Sequence, residues 1–416
     1  MNIVVICPHF APDLAPTGEV MTRIVEELAA RGHRLHVVTS LPWYERHRIE
    51  PGWEGSVVRH DEVPWGVISR VHPFPTDKTN IPARAAAFGG FTALTTFVAL
   101  LTRLSPDVVL AMSPPLTLGV AGWLAARRHR VPFVFNIQDV FPDVAVELGA
   151  ITDRRVISFA RWLERFTYFR ADAVTVLSDD LRENVAAKLA GDRPDRVVVI
   201  PNFVDTDRIA PGSPDNDYRG EFDLSGKRVV MYAGNVGMSQ SLDLMLEAAA
   251  TFTDDPDIRF VINGSGAARP GLIERARGLE NVVFVGMQPR ERLSQVLAAA
   301  DIHVVPLKTG LARSSVPSKL YSILAAGRPV VASVDAGTEV ARVVDGAGAG
   351  VCVPPEDAEA FTKALAVLLQ DDQQRAAMGR RGRSFVEGWA SPAAVARRYE
   401  DLFAQVAEER RAGSHW

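Results

Sequence analysis

A strand, a helix and a second strand open the chain: NIVVICP (residues 2–8), TGEVMTRIVEELAARGH (17–33) and RLHVVTS (34–40). The first and last segments are short runs rich in apolar, β-branched residues, which is typical of buried strands. The middle segment repeats its apolar residues at helical spacing. The order predicts a βαβ unit, in which two parallel strands of one sheet are joined by a covering helix.

The same alternation of strands and helices continues to about residue 204. Apolar runs separated by helical stretches predict a doubly wound, Rossmann-like α/β domain over residues 1–204. The further strands expected here are PDVVLAMS, VPFVFNIQD, ADAVTVLS and RVVVIPN.

A polar segment rich in Pro, Gly and Asp follows, and we interpret residues 205–226 as a linker. The strand and helix pattern then restarts, which predicts a second Rossmann-like domain over residues 227–385, with strands at RVVMYAGN, IRFVING, VVFVGM, IHVVPL and PVVAS. Residues 386–416 end in an amphipathic helix that we expect to pack back toward the first domain. Two such domains are expected to place the carboxyl ends of their sheets around a common cleft, where open α/β sheets bind ligands.

Composition narrows the class of protein. At 416 residues the chain exceeds the size of a single hydrophobic core, and a net charge of −4 gives no general attraction to nucleic acid. Cys7 and Cys352 lack metal-ligand spacing, so we expect buried thiols in a reducing compartment. MNIVVICPHF enters a strand directly, without the features of a secretion signal, which predicts a cytoplasmic body.

One segment departs from this pattern: residues 85–102 are 18 uncharged, mostly apolar residues. A membrane span, a buried helix and a helix docked on a membrane surface are the alternatives. Trp65, Trp123 and the basic run ARRHR (126–130) would suit an anionic bilayer, although a basic run also suits a solvated helix end. We therefore expect a peripheral protein at the inner face of the cell membrane.

The segment SSVPSKLYSILAAGRPVV (314–331) starts like a capped helix. Pro317 suits a first turn, Ser315 or Ser318 can cap free N–H groups, and Lys319 places a cation beside them. Such a helix start is able to bind an anion, and Lys308 and Arg313 add charge just before it. An ordinary capped helix with an exposed lysine is the alternative.

Two glycine-rich turns lie between a strand and a helix in the same domain. Gly234 and Gly237 occur in YAGNVGMSQSLDLMLEAA, and Gly264 and Gly266 in INGSGAAR. Glycine permits close approach of the backbone to a ligand, yet a single glycine pair is weak evidence because tight turns use glycine generally. Together with the basic helix start, these turns favour a nucleotide diphosphate as the ligand.

Seven stretches of the chain occur in a specific order and spacing: PHFAPDLAPTGEVMTRIVEELAARGHRLHVVTS, FNIQDVFPD, VTVLSDDLRENV, VIPNFVDTDRI, YAGNVGMSQSLDLMLEA, VFVGMQPRERLSQVLAAADIHVVPL and VPSKLYSILAAGRPVVAS. In these stretches the chain resembles glycosyltransferase family 4, the retaining GT-B glycosyltransferases, and in particular the bacterial branch that builds exopolysaccharides, O-antigens and capsules. The resemblance implies transfer of a sugar from a nucleotide diphosphate sugar, with a uridine diphosphate (UDP) N-acetylhexosamine favoured, to a lipid-linked (polyprenyl) or glycan acceptor. It implies no cofactor and no essential metal, because basic residues and a helix dipole offset the diphosphate charge.

The resemblance also assigns nucleotide-sugar binding to a set of small, polar and basic residues from both domains. Gly18 would bring the loop after the first strand close to the donor phosphates. The set is Gly18, Gly234, Asn235, Gly237, Gly264, Gly266, Met287, Arg313, Ser314, Pro317, Ser318, Lys319 and Ser322.

The chain departs from the family pattern at two places. The family has two glutamates eight residues apart before the helix-ending glycine, and Ser314 and Ser322 occupy those positions here. The glycine loop has Ser239 and Gln240 where a basic pair is usual. Lys319 is then the best candidate for the displaced diphosphate contact, and we interpret the changes as adaptation rather than loss of activity.

The catalytic candidates are His9, Asp139 and Lys319. Asp139 follows a strand and could bind or deprotonate an acceptor hydroxyl, while a helix cap or turn carboxylate is the alternative. His9 could contact either substrate or be structural. For retaining transfer the family implies attack on the face that the diphosphate leaves, with the leaving phosphate accepting the proton and a protein base optional.

Two further classes of function stay open from the sequence. A protein of this fold could bind a nucleotide sugar without turnover, as a catalytically impaired or scaffold protein. A nucleotide-sugar epimerase is a third alternative, although PSKLYSILAAGRP and the apolar helix favour transfer.

Overall fold

The computed structural model describes residues 1–76, 81–143, 146, 151–189, 194–310 and 318–413. The chain forms two compact units. The first contains Met1–Asn202 together with Val395–Trp416, and the second contains Phe203–Ala394. Each is a mainly or fully parallel sheet covered by helices, so the expectation of two Rossmann-like α/β domains is confirmed.

In the described part of the first unit, eight strands form one sheet in the order β3-β4-β2-β1-β5-β6-β7-β8. β3 and β4 are an antiparallel hairpin at one edge, and the other neighbouring pairs are parallel. β1 lies between β2 and β5, so the order of the strands reverses at the boundary between β1 and β5. The strands are β1 (Asn2–Ile6), β2 (Arg34–Ser40), β3 (Val58–Val63), β4 (Gly66–Val71), β5 (Val108–Ser113), β6 (Phe133–Ile137), β7 (Ala173–Val176) and β8 (Val197–Val199).

The helices of the first unit cover this sheet. Asp153 caps one of them, because its Oδ1 accepts hydrogen bonds from the backbone N–H groups of Arg155 and Val156. The described helices are Pro16–Ala30, Ile81–Leu100, Thr117–His129, Arg154–Arg170, Asp179–Lys188 and the C-terminal Pro392–Arg411.

The C-terminal helix joins the first unit through a buried polar network. The Tyr399 hydroxyl is buried and accepts a hydrogen bond from Asn136 Nδ2 at 2.8 Å. Gln138 Nε2 donates to Asn136 Oδ1, and Asn202 Nδ2 donates to Gln138 Oε1, both at 2.8 Å. The network therefore ties the last helix and the last residue of the Met1–Asn202 segment to the end of β6.

The helix Ile81–Leu100, which includes most of the apolar segment 85–102, packs against Thr117–His129. It buries Phe91 and Val98, whereas Phe97 is 61% exposed and Leu101, just after the helix, 62%. Among the helices that the structure describes, none has the length and hydropathy that crossing a bilayer requires.

In the described part of the second unit, six parallel strands form a sheet in the order β11-β10-β9-β12-β13-β14. Here the order reverses between β9 and β12. The strands are β9 (Arg228–Ala233), β10 (Ile258–Asn263), β11 (Val282–Val285), β12 (Ile302–Pro306), β13 (Val330–Ser333) and β14 (Gly350–Val353). The described helices are Asp217–Glu221, Asp243–Thr251, Arg269–Arg275, Leu293–Ala298, Ser318–Ala325, Glu339–Ala347, Ala358–Gln370 and Asp372–Trp389.

The segment 205–226, predicted as a linker, lies within the second unit. Tyr218 and Leu224 are fully buried there, and the Tyr218 hydroxyl donates a hydrogen bond to Asn263 Oδ1 at 2.9 Å. Two large buried side chains thus anchor this segment to the second unit, although its Pro, Gly and Asp content alone predicts a linker.

Cys7 and Cys352 are free thiols, the first fully buried and the second half-buried. Burial raises the pKa of each thiol to about 12. Both side chains are therefore neutral packing groups at physiological pH.

Candidate functional site

Lys319 lies beside the glycine turn that follows β9. Its Nζ donates a hydrogen bond to Tyr232 Oη at 2.7 Å and lies 4.4 Å from the centre of the same ring. A Cβ placed on Gly234 would be 3.5 Å from Lys319 Nζ, so the ammonium faces the glycine backbone. The Tyr232 hydroxyl donates its own proton to the Asn235 carbonyl at 2.5 Å. Tyr232 therefore connects the lysine to the turn and leaves two ammonium protons for other acceptors.

Burial changes the acidity of this lysine. Removal from water lowers the Lys319 pKa from its usual 10.5 to about 8. The group remains mostly protonated at neutral pH, yet its charge is poorly solvated. A bound anion would replace the missing solvation and raise the pKa again.

The two glycine turns lie against each other through their backbones. Gly264 has φ +153°, and a Cβ there would be 1.9 Å from Gly234 O. A Cβ on Gly266, at φ +155°, would be 2.3 Å from Val236 O. Val236 N–H donates to Ser265 O at 2.8 Å, which joins the turns directly. These glycines therefore allow the carboxyl ends of β9 and β10 to approach closely.

The Gln240 side chain bonds a backbone N–H group of the glycine turn that follows β9. Its Oε1 accepts the Gly237 N–H at 2.9 Å, while Asn235 is exposed. Lys308 N–H donates to Ser239 O at 3.1 Å and ties the end of β12 to the same loop. The turn is thus closed by polar contacts at the positions where the family pattern has cations.

These contacts lie where the strand order of the second unit reverses, between β9 and β12. Open α/β sheets bind ligands at this point, outside the carboxyl ends of the strands. Lys319, Gly234 and the loop at Gly237 are brought together there. Ser322, three residues after Lys319 in the helix Ser318–Ala325, is half-buried.

Other predicted donor residues are placed elsewhere or are not described. Met287 is 55% exposed and follows β11, the edge strand of the sheet, two strands from β9. Arg313, Ser314 and Pro317 lie outside the described residues. The helix Ser318–Ala325 includes Ser318, whose side chain also lies outside the description.

The first unit has a cavity of about 360 Å³ at its own point of strand reversal. Pro8 and His9 line it from the end of β1, and Pro114 and Pro115 from the end of β5. Most of the remaining wall is aromatic or apolar. The other lining residues are Ser40, Trp43, Tyr44, His47, Pro73, Phe74, Thr76, Ala87, Phe88 and Phe91.

His9 is the polar group of this cavity with a defined partner. Its Nδ1 lies 2.6 Å from Asp13 Oδ2, and Asp13 Oδ1 accepts the Tyr44 N–H at 3.0 Å. An ionised carboxylate only accepts hydrogen bonds, so the proton of a neutral His9 lies on Nδ1. The other nitrogen, Nε2, then has a lone pair able to accept a proton.

The structure does not place the other two candidates of the first unit, Gly18 and Asp139, in the lining of this cavity. Gly18 lies inside the helix Pro16–Ala30, and a Cβ there would be 2.9 Å from His9 Cβ, so this glycine lets the helix approach the His9 backbone. Asp139 is exposed just after β6 and does not line the described cavity.

Sequence reasoning missed Tyr232 and Asp13. After Arg228 at its start, the strand RVVMYA is apolar except for the hydroxyl of Tyr232, and this is a usable signal. Asp13 follows His9 by four residues in a loop, which does not predict a contact. Among the described residues, no three His, Cys, Asp or Glu side chains are grouped as a metal site would need.

Comparisons with known proteins identify the family of the chain. A family model described as a glycosyl transferase 4-like domain matches residues 17–202, and one described as glycosyl transferases group 1 matches residues 227–371. WcaI of Escherichia coli K12, named as a colanic acid biosynthesis glycosyl transferase, is 29% identical and covers 88% of this chain and 91% of its own.

Two further similarities are to proteins whose names or titles mention a nucleotide. A GDP-mannose-dependent alpha-mannosyltransferase of Mycobacterium tuberculosis is 27% identical, over 81% of this chain and 80% of its own. The structure of Anabaena HepE in complex with UDP matches with a TM-score of 0.64 and 15% identity, over 97% of this chain and all of HepE. The chain therefore belongs to the family 4 type of GT-B glycosyltransferases.

Proposed function

We propose that the protein is a retaining glycosyltransferase that moves a hexosyl or N-acetylhexosaminyl group from a nucleotide diphosphate sugar to a lipid-linked or glycan acceptor. The cell-surface polysaccharide pathway is supported by the name of WcaI. The single observation that carries the donor assignment is the position of Lys319 against Gly234, with its charge partly removed from water.

The donor diphosphate is proposed to bind at the carboxyl end of β9. Among the described residues, the Lys319 ammonium donates one proton, to Tyr232, so the other two are proposed to bond phosphate oxygens. The helix Ser318–Ala325 adds a favourable dipole if its start faces the diphosphate. Because these groups supply the positive charge, we propose that transfer needs no metal, and activity should persist in EDTA.

The acceptor is proposed to bind in the first unit, at the cavity lined by His9. Its aromatic and prolyl walls suit an apolar ring or chain, and the His9–Asp13 pair places one proton acceptor in that setting. This combination favours an acceptor that presents a hydroxyl next to an apolar group, as a lipid-linked sugar does.

The reaction breaks the bond between the anomeric carbon and the diphosphate oxygen, and the acceptor oxygen bonds to the same face of that carbon. The acceptor proton moves to the leaving phosphate. Lys319 stabilises the negative charge that develops there. His9 is an alternative proton acceptor, and replacing it with glutamine distinguishes the two routes through the pH dependence of kcat.

UDP is our first choice of nucleotide, by analogy with the HepE complex, and a UDP-N-acetylhexosamine is the favoured donor. The mycobacterial relative uses GDP-mannose by name, so guanosine donors belong in the same screen.

The test is thermal stability of the purified protein with uridine, guanosine, adenosine and thymidine diphosphates and their sugars. A ligand that binds only the folded state adds about 2.7 kcal/mol at a hundred times its dissociation constant. A rise in melting temperature with the nucleotides of one base identifies the donor class, and lipid-linked sugars are then tested as acceptors. Binding without transfer to any of them would favour the catalytically impaired alternative.

Conversion of the bound donor without any acceptor would favour the epimerase. Peripheral attachment at the inner face of the cell membrane is part of the proposal, because a polyprenyl-linked acceptor lies there.

A further inference from the structure

The helix Arg154–Arg170 exposes a row of aromatic side chains that the sequence analysis did not single out. Phe159 is 62% exposed, Trp162 58% and Phe169 37%, and Phe166 is half-buried. These residues are three or four positions apart, so they follow one side of the helix.

The rings of this row contact one another. Phe159 stacks on Trp162 with centroids 5.7 Å apart, and Trp162 stacks on Phe166 at 5.6 Å. Phe166 meets Trp123, on the neighbouring helix Thr117–His129, edge to face at 5.2 Å. The result is a continuous aromatic strip across two helices, and an exposed apolar patch of this kind marks an interaction site.

Arginine is the only charged residue type on the solvent side of this helix, whose residues are all described. Arg154, Arg155, Arg161, Arg165 and Arg170 are exposed. The one acidic residue of the helix, Glu164, is buried and bonded to Lys188 Nζ at 2.6 Å. Within this helix, the exposed charges beside the aromatic strip are therefore all positive.

A cavity of about 180 Å³ opens at the end of the strip, between Trp123 and Phe169. Arg127, Arg170, Arg196 and Arg410 line it. Its one carboxylate, Asp172, lies 3.3 Å from Arg410. A small anionic group therefore meets an excess of positive charge there.

We propose that this aromatic–arginine surface, formed by Trp123, Phe159, Trp162, Phe166 and Phe169 with the arginines named above, docks the enzyme on an anionic lipid bilayer. An apolar aromatic side bordered by arginines fits the boundary between lipid headgroups and acyl chains, where rings insert and cations meet phosphates. Single-stranded nucleic acid fits less well, because the rings stack on each other rather than offering free faces to bases.

The inference rests on the membrane location in the proposed function, but it names a different surface from residues 85–102. In that segment Phe91 and Val98 are buried, whereas Phe88 is 39% exposed and Phe97 61%. If the aromatic–arginine surface docks on the membrane, variants of Phe159 and Trp162 should lose vesicle binding. If residues 85–102 dock instead, a variant of Phe97 should lose it.

The experiment is co-sedimentation of the full chain with two kinds of vesicle. One kind is phosphatidylcholine alone, and the other is phosphatidylcholine with about 30 mol% phosphatidylglycerol. The wild type should bind the anionic vesicles, bind the neutral ones weakly, and dissociate in high salt. The double variant Phe159→Ser/Trp162→Ser should lower the partition coefficient at least about tenfold, because two large rings no longer insert. Arg161→Gln and Arg165→Gln should each lower it about fivefold.

Val367→Ser and Arg277→Gln are matched controls, since both residues are exposed in the second unit. Melting temperature and donor binding, measured on every variant, separate loss of docking from unfolding and from failure of the proposed donor site. Equal vesicle binding by Phe159→Ser/Trp162→Ser and the wild type would overturn the inference. So would loss of binding only in Phe97→Ser, or tighter binding to an oligonucleotide than to anionic vesicles.

Discussion

Replacing Lys319 with methionine tests the donor site most directly. Methionine keeps most of the length of the side chain but carries no charge and donates no hydrogen bond. If the ammonium bonds the donor diphosphate, its loss removes a charge-assisted contact worth about 1.5–3 kcal/mol. The dissociation constant of the nucleotide diphosphate should therefore rise by a factor of about 10 to 150.

The stability of the variant should not fall in parallel. Lys319 is poorly solvated, which is why its pKa lies at about 8 instead of 10.5. Methionine removes that unfavourable burial of charge and loses one hydrogen bond to Tyr232. We expect the free energy of unfolding at pH 7 to be unchanged or slightly higher.

The pH dependence gives a second, independent measurement. The free lysine loses its proton as pH rises through about 8, so donor affinity of the wild type should weaken above that pH, by up to about tenfold per unit. Lys319→Met should lack this dependence. Isothermal titration calorimetry between pH 6.5 and 9.5, with exposed Lys363→Met as the control, measures both effects. Unchanged affinity in Lys319→Met, or the same pH profile, would refute the assignment.

The remaining predictions address packing, acidity and local charge. Gly264→Ala should lower the free energy of unfolding by more than about 3 kcal/mol in urea, because its Cβ would overlap Gly234 O; Gly286→Ala has free space and should change it by less than about 0.5 kcal/mol. Tyr399→Phe should lower the free energy of unfolding by about 1–2 kcal/mol, because Asn136 Nδ2 loses its hydrogen bond to the Tyr399 hydroxyl, and should leave donor affinity unchanged. Burial lowers the pKa of His303 to about 4. The free energy of unfolding, measured in urea, should therefore fall by up to about 3 kcal/mol as pH falls from 6.5 to 4, and His303→Gln should reduce this pH dependence. Ser322→Glu should weaken donor binding about 5- to 30-fold by calorimetry, since it adds a negative charge one helical turn from Lys319.

The fold was largely predictable because most strands are buried in parallel sheets and therefore appear as continuous apolar runs. The hairpin of β3 and β4 was missed because it lies at the edge of the sheet, where VRHDEV exposes polar side chains. β14 was missed because four residues, GVCV, are too short to stand out beside a glycine-rich loop.

The site was predictable where the backbone dictates residue type. Gly234 and Gly264 were predicted because glycine lets the backbone approach a ligand. The structure gives each a backbone reason: Gly264 lies against the Gly234 carbonyl, where a Cβ has no room, and Gly234 has φ +143°. Asp13 and Tyr232 were missed because their roles depend on contacts between side chains of the folded chain. The aromatic strip on Arg154–Arg170 was missed because alternation with arginine lowers its mean hydropathy, whereas the uncharged segment 85–102 stands out in the sequence.

The balance of charge around Lys319 favours adaptation over loss of activity. Relative to the family pattern, Ser314 and Ser322 remove two negative charges, while Ser239 and Gln240 remove two positive ones. The formal charge of the donor region is therefore unchanged, and Lys319 remains as a cation desolvated beside Gly234. Loss of function alone gives no reason for paired changes of opposite sign. Nor does it explain a half-buried lysine whose pKa is lowered to about 8, since a charge partly removed from water costs stability unless an anion compensates for it. A site that still binds a diphosphate accounts for both.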